Sequence, residues 1–183
     1  MLSSAGDGDL RERPRLMAAQ RAPRVLESLS NYFDELVVGD TYVTPGRTVT
    51  DEAVVAFSAV SGDKNPLHTD PEWAKSGPFG AIVAQGLCTL AFASGLEFAF
   101  YGEGEKPTLA FYGYDRVRFV KPVLVGDTIH IEAEVTSLEE KDDTRGVVGY
   151  HQEIKNQRGE TVVVLDKRTL MKARAYDEGG PRA

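Results

Sequence analysis

An acid, an amide and an imidazole stand close together around one proline, at Asp63, Asn65 and His68. Pro66 fixes its own φ and disfavours a helical conformation for Asn65, so the sequence predicts a turn between Asp63 and His68. Such a turn can point the carboxylate and the imidazole into one cavity, where they could move protons on and off a water molecule. Asp63 and His68 are therefore the predicted catalytic pair. The alternative is ordinary turn chemistry, which uses the same residue types.

The elements on both sides must position this motif. A threonine followed by two acids, at residues 50–52, is typical of a helix start. Apolar residues then recur at helical spacing and predict one buried face on a helix that ends near Ser61; they are Ala53, Ala56, Phe57 and Val60. Pro71 begins a short helical turn. Residues 87–100 are almost wholly apolar, which predicts a helix buried on all sides.

The pattern changes to alternation after residue 108. Residues 127–135 place isoleucine, alanine and valine on one face and polar side chains on the other, which is typical of a half-buried strand. Further strands are predicted at 41–49, 109–120, 146–155 and 161–172. The sequence thus predicts an α+β fold, an antiparallel sheet curled around one buried helix. The repeated Val-Gly-Asp-Thr at residues 38–41 and 125–128 is interpreted as a repeated turn before a strand, not as a duplicated domain.

Residues 57–68, Phe-Ser-Ala-Val-Ser-Gly-Asp-Lys-Asn-Pro-Leu-His, followed by Ala74, resemble the signature of the MaoC-like, or R-specific, enoyl-CoA hydratases. Phe119, Pro122, Val123, Gly126 and Asp127 are similar to a second, weaker signature of that family. The resemblance implies a single hot-dog domain over residues 32–172, with a curved antiparallel sheet around a long central helix. It leaves residues 1–31 as an extension, flexible or dependent on a partner, and residues 173–183 as a flexible tail.

The resemblance implies reversible addition of water to a trans-2-enoyl thioester, of coenzyme A or of a carrier protein. Asp63 and His68 would hold and activate the water, Asn65 would help to position it, and the Gly86 N–H would receive the thioester oxygen. An amide at a helix start suits the negative charge that develops there. The sequence departs from many relatives at Gln85, where they carry histidine. Gln85 cannot titrate near neutral pH, and a polar cap at a helix start is its expected role.

Two other function classes stay open on the sequence. A hot-dog thioesterase would direct water with a carboxylate on the central helix, and Glu97 is the only acid there, near the wrong end. A non-catalytic protein that binds acyl-CoA could keep the fold without turnover. A net charge of −7 argues against general nucleic-acid binding, and Gln85, Glu97 and the glycines argue against a membrane span at residues 81–100.

No cofactor or metal is expected, because three histidines and one cysteine at scattered positions give no zinc pattern. His130 and His151 lie in polar strand patterns and are expected at the surface. The single cysteine and the lack of a secretory leader suggest a cytoplasmic protein. A lone hot-dog unit leaves sheet edges uncovered, which predicts a homodimer.

Overall fold

The computed structural model of the chain describes residues 21–179. Its sheet is wholly antiparallel and consists of β1 (Thr41–Val43), β2 (Arg47–Thr48), β3 (Thr108–Phe119), β4 (Thr128–Asp142), β5 (Arg145–Asn156) and β6 (Thr161–Lys172). The strands lie in the order β1-β4-β5-β6-β3, and β2 also pairs with β4. Three long strands at the centre are joined by short turns, so most of the ladder forms between neighbours in sequence.

The helices come before the long strands. They are α1 (Asp51–Ser61), α2 (Pro66–Thr69), α3 (Pro71–Ser76) and α4 (Gly86–Phe100), with α5 (Arg174–Asp177) after the sheet. Helix α4 packs on the inner face of the sheet through one side only; its buried residues are Cys88, Thr89, Phe92, Ala93, Leu96 and Glu97. Leu87 and Phe98 on the other side are 67% and 64% exposed. The prediction of a helix buried on all sides is therefore wrong for the single chain.

Helix α1 was predicted correctly in extent but not in orientation. Its buried residues are Val54 and Ser58, whereas Val60, placed on the predicted buried face, is 87% exposed. The predicted strand 41–49 is interrupted between β1 and β2. Pro45 lies in that interruption and has no N–H with which to continue the ladder.

The repeated Val-Gly-Asp-Thr forms the same turn twice. Gly39 and Gly126 have φ of 93° and 94°, a conformation that favours glycine. Asp40 and Asp127 are both buried, and each accepts the amide hydrogen of the residue three positions earlier at 3.0 Å. This agrees with the interpretation of the repeat as a turn that begins a strand.

Burial opposes ionisation of Asp40 and Asp127, yet hydrogen bonds outweigh it and hold the pKa of both carboxyls below the usual value. Arg21 and two backbone amides bond to Asp40. Arg158, Gln157 and a backbone amide bond to Asp127. Each turn therefore holds a buried anion with a neighbouring arginine.

Residues 21–31 and 173–179, at the two limits of the described chain, are more closely packed than expected. Leu26 and Leu29 are buried in the core, so residues 21–31 do not form a free arm. Ala173 is fully buried, and Asp177 accepts a hydrogen bond from the Tyr32 hydroxyl at 2.7 Å. Residues 1–20 and 180–183, on which the remaining predictions of flexibility fall, lie outside the described residues. The domain limits themselves stay a prediction.

Between residues 21 and 179, no helix is both long and apolar enough to cross a membrane.

Candidate functional site

The predicted motif forms two local structures rather than one turn. Gly62, with φ of 77°, ends α1 one residue before Asp63. Asn65 then caps α2, accepting the Leu67 amide at 3.0 Å, and Pro66 occupies the first helical position. His68 consequently lies on a short helix and not in the turn itself. The prediction that Pro66 keeps Asn65 out of the helical region is confirmed by the Asn65 ψ of 131°, but the short helix that begins at Pro66 was not predicted.

The structure brings Asp63 and His68 together. Their side chains approach to 3.8 Å between Asp63 Oδ2 and His68 Nε2, too far for a direct hydrogen bond. A single water oxygen can lie within about 2.8 Å of both atoms. Asp63 is about half exposed and His68 mostly buried, at 47% and 12% of their side-chain surfaces, so solvent reaches the carboxylate.

The other ring nitrogen of His68 fixes the imidazole. Nδ1 lies 2.6 Å from the Val83 carbonyl oxygen. A carbonyl can only accept, so we assign the proton to Nδ1, and Nε2 of the neutral ring is then an acceptor. The Leu67 carbonyl accepts the Val83 amide at 3.2 Å, which ties the same two segments a second time. The ring therefore presents a basic nitrogen toward Asp63.

Asn65 has a positioning role in this geometry. Its backbone N–H donates to Asp63 Oδ1 at 3.2 Å, leaving Oδ2 to face His68. Its side-chain oxygen is already used by the cap on α2. Only the side-chain NH₂ group of Asn65 could contact a water or a substrate.

Gly86 is the first residue of α4, three residues beyond Val83 and thus within about 11 Å of it along the chain. The first helical amides lack acceptors within the helix, and the Gln85 side chain does not cap them. A Cβ on Gly86 would lie 2.9 Å from the Phe119 ring. Close packing against Phe119 is thus one reason for glycine here. Whether its amide receives a thioester oxygen stays a prediction.

Gln85 differs from its predicted role as a cap. Its side chain is buried and donates from Nε2 to Ser58 Oγ on α1 at 2.6 Å, while its Oε1 has no partner in the part of the chain that the structure describes. The residue therefore links α1 to the start of α4. Ser58 was missed because its position in the sequence suggested an exposed helix face.

A groove of about 610 Å³ runs beside α4, from Leu87 in its first turn to Tyr101 after its last. Most of its lining is apolar, but a buried polar cluster lies at its inner wall. Glu97 accepts hydrogen bonds from Tyr42 at 2.7 Å, Gln152 at 2.7 Å and Lys167 at 2.6 Å. Burial and the charge of Glu97 raise the pKa of Tyr42 well above its usual value. An acid in an apolar helix was the sequence signal for this cluster.

The remaining candidate residues lie elsewhere. His151 pairs with Asp166 at 2.9 Å, and His130 contacts Glu132 at 3.4 Å, both partly exposed on strands. Two cations on and just after β3 are paired with acids, Arg116 with Asp166 and Lys121 with Glu160. Within residues 21–179, no group of three His, Cys, Asp or Glu side chains could hold a metal ion.

Comparison with known proteins shows which protein family the chain matches. The profile of the MaoC like domain matches residues 35–157. Protein MaoC of Klebsiella aerogenes is 39% identical over 55% of the chain and 29% of its own length. The 3-hydroxyacyl-thioester dehydratase Z of Mycobacterium tuberculosis is 36% identical over 51% of the chain and 62% of its own length. The chain thus spans less than two thirds of these curated relatives.

Solved structures give the same fold. A monoamine oxidase regulatory protein from Archaeoglobus fulgidus superposes with a TM-score of 0.71 at 35% identity, covering 85% of this chain and 97% of that one. The (R)-hydratase of A. caviae superposes with a TM-score of 0.62 at 29% identity, covering 74% of this chain and 96% of that one. A double hot-dog protein of M. tuberculosis, 21% identical over 79% of this chain and 44% of that one, supports the fold at a TM-score of 0.66. The predicted α+β hot-dog fold is confirmed.

Proposed function

Since this chain belongs to the MaoC like domain family, we propose that it adds water reversibly to a trans-2-enoyl thioester to give the (R)-3-hydroxyacyl thioester. Two named relatives, a hydroxyacyl-thioester dehydratase and an (R)-hydratase, motivate the reaction class. The observation that carries it is the pair formed by Asp63 and His68. The carboxylate oxygen and the unprotonated ring nitrogen are both acceptors, 3.8 Å apart.

A water between these two atoms would donate one hydrogen to each. Its lone pair would then be free to attack C3 of the enoyl group. His68 Nε2 would take one proton as the C3–O bond forms, and Asp63 would stabilise the resulting imidazolium. Return of that proton to C2 completes the hydration, and the reverse order of steps gives the dehydration.

The Gly86 amide is the proposed partner of the thioester oxygen. Negative charge builds on that oxygen during addition, and an uncapped amide at the start of a 15-residue helix suits it. Gly86 follows the segment that holds His68, so both groups are positioned by one stretch of chain, residues 83–86. The Asn65 NH₂ group would steady the water.

Steady-state hydration of crotonyl-CoA tests the proposal. Loss of the conjugated double bond without release of free thiol is expected. Release of thiol instead would indicate a thioesterase, a reaction that the structure disfavours because three donors already occupy the Glu97 carboxylate. No turnover with any enoyl thioester would indicate a non-catalytic acyl-CoA-binding or regulatory protein; the A. fulgidus neighbour is named a regulatory protein.

We also propose a homodimer. β3 at the sheet edge exposes Tyr112 and Phe119, which lie outside the lining of the groove beside α4 and are each more than half accessible. An exposed apolar surface beside an unpaired edge strand is typical of a subunit interface. Sedimentation equilibrium should give twice the chain mass at micromolar concentration, and a monomer would contradict the proposal.

A further inference from the structure

The groove beside α4 is apolar near its start and polar deeper in. Leu87, Leu90 and Ala91 line the part next to the first turns of α4. Lys167, Thr169 and the Glu97 carboxylate line the part next to its last turns. Lys167 and Thr169 are two residues apart on β6 and therefore project from the same face of the sheet.

The polar groups in this part of the groove are not all satisfied. Thr169 is 2% exposed, and its hydroxyl has no hydrogen-bond partner among residues 21–179. Lys167 donates one hydrogen to Glu97, and among residues 21–179 its ammonium has no second acceptor. A buried hydroxyl without a partner destabilises the folded protein. A ligand oxygen in the groove would satisfy both groups at once.

The net charge of this part of the groove determines which kind of ligand oxygen can bind to Lys167 and Thr169. Lys167 and Glu97 form a mostly buried ion pair, with 13% and 7% of their side chains exposed, so their charges cancel. A carboxylate there would be a third buried charge without its own counter-ion, which is unfavourable. An uncharged hydroxyl or carbonyl oxygen could accept from the ammonium and from Thr169 without that penalty.

We propose that the groove takes an acyl chain with an uncharged oxygen, a hydroxyl or carbonyl group, near its far end, recognised by Lys167 and Thr169. This inference rests on the proposed hydration of enoyl thioesters and names the substrate class of that same site. Tyr114 lies beside this part of the groove, where its hydroxyl could donate a third hydrogen bond.

The helix gives a scale for the chain length. Glu97 lies eleven positions after Gly86, or about 16 Å along the axis. Side chains lean toward the helix start, and an extended chain advances about 1.3 Å per bond. An acyl chain with its carbonyl at Gly86 would bring its oxygen to Lys167 after roughly 10 to 12 bonds.

Calorimetric binding of saturated acyl-CoA pairs tests the proposal without turnover. Each pair compares an ω-hydroxyacyl-CoA with the acyl-CoA one carbon longer, so that a hydroxyl replaces a methyl group at equal heavy-atom count. Acyl chains of 6, 8, 10 and 12 carbons would be used. At 10 to 12 carbons we expect the ω-hydroxy ligand to bind at least about tenfold more tightly than the alkyl ligand. This ratio corresponds to one hydrogen bond to a charged group. At 6 carbons we expect equal affinities.

Two variants assign that preference to the residues. Thr169→Val keeps the shape of the side chain, and Glu97→Gln with Lys167→Met removes the ion pair without leaving one charge buried. Both should reduce the preference to below about threefold. Thr136→Val, an exposed threonine on β4, is the matched control and should keep it. An equal or stronger affinity for the alkyl ligand in the wild-type protein would overturn the inference, as would an unchanged preference in both variants.

The binding experiment can fail or succeed independently of the hydration assay that tests the proposed function. If the protein hydrates enoyl-CoAs but shows no preference for the oxygen, this inference alone fails. If no enoyl-CoA is hydrated but the ω-hydroxy ligand binds preferentially through Thr169, the groove is assigned correctly and the reaction is not.

Discussion

Replacing Asp63 by Asn tests the proposed chemistry at a single atom. The substitution keeps the oxygen that accepts the Asn65 amide and turns the one facing His68, 3.8 Å away, into an NH₂ group. That group cannot accept a hydrogen from water. General acid–base catalysis, here by His68 with Asp63 stabilising the protonated ring, contributes about 10² to 10⁴ in rate. We expect a loss in that range, equivalent to about 2.7–5.4 kcal/mol of transition-state free energy.

The fold should survive this change, because Asp63 is about half exposed and Asn is well accepted in turns. Asp70→Asn is the matched control. Asp70 caps α3 by accepting the Glu72 and Trp73 amides, a role that Asn also fills. The assay follows loss of the enoyl double bond of crotonyl-CoA, with circular dichroism as the check on folding. A folded Asp63→Asn protein with more than a third of wild-type turnover would refute the reasoning.

Three further outcomes are expected. His68→Asn can still donate a hydrogen bond to the Val83 carbonyl but cannot take a proton. Turnover should therefore fall by about 10² or more while the melting temperature changes little. Normal turnover would contradict the assignment of His68 as the base. Gly86→Val keeps the backbone N–H, but its side chain should crowd the acyl carbonyl and lower turnover per folded molecule by about 10². Its Cβ also meets Phe119, and the loss should persist when Phe119→Ala relieves that clash. Full recovery in the double variant would leave Gly86 a packing role only. The pKa of Asp40 and of Asp127 is lowered in the folded state from the usual 3.8. Both ionised carboxylates therefore stabilise the fold at neutral pH, and this contribution is lost as pH falls below about 4. The free energy of unfolding in urea, measured from pH 2 to 7, should show that decline, and a variant with Asn at both positions should show a smaller one.

The sheet was largely predictable from the sequence because the alternating pattern and the turn residues of each strand lie within that strand and next to it. Residues 128–135 alternate strictly, and the structure places Ile129, Ile131 and Val135 in the core. Turn residues also fixed the ends of β5 and β6 to within one residue of their predicted limits. Asp63 and His68 were found for the same reason, since a short motif needs no knowledge of distant parts of the chain.

Features that depend on distant segments were not predictable. The buried face of α1 packs Val54 in the core and bonds through Ser58 to Gln85, 27 residues away. The cluster around Glu97 joins Tyr42, Gln152 and Lys167, which come from three different strands. Glu97 itself was noticed, but only the folded chain shows that its charge is neutralised. The exposed side of α4 was missed because hydropathy does not distinguish a core from an uncovered apolar surface.

The two edges of the sheet differ in a way that limits how large an assembly can become. At one edge the chain covers itself: Val25 bridges Thr41 in parallel, and Arg24 and Leu26 exchange backbone hydrogen bonds with the same residue. At the other, no strand from residues 21–179 pairs with the outer side of β3, which is bent by three irregularities in its register with β6. The outer side of β3 can add one neighbour. If two copies paired symmetrically through β3, that edge would be used in both, so pairing through β3 alone would end at a closed pair and would not extend into a fibre.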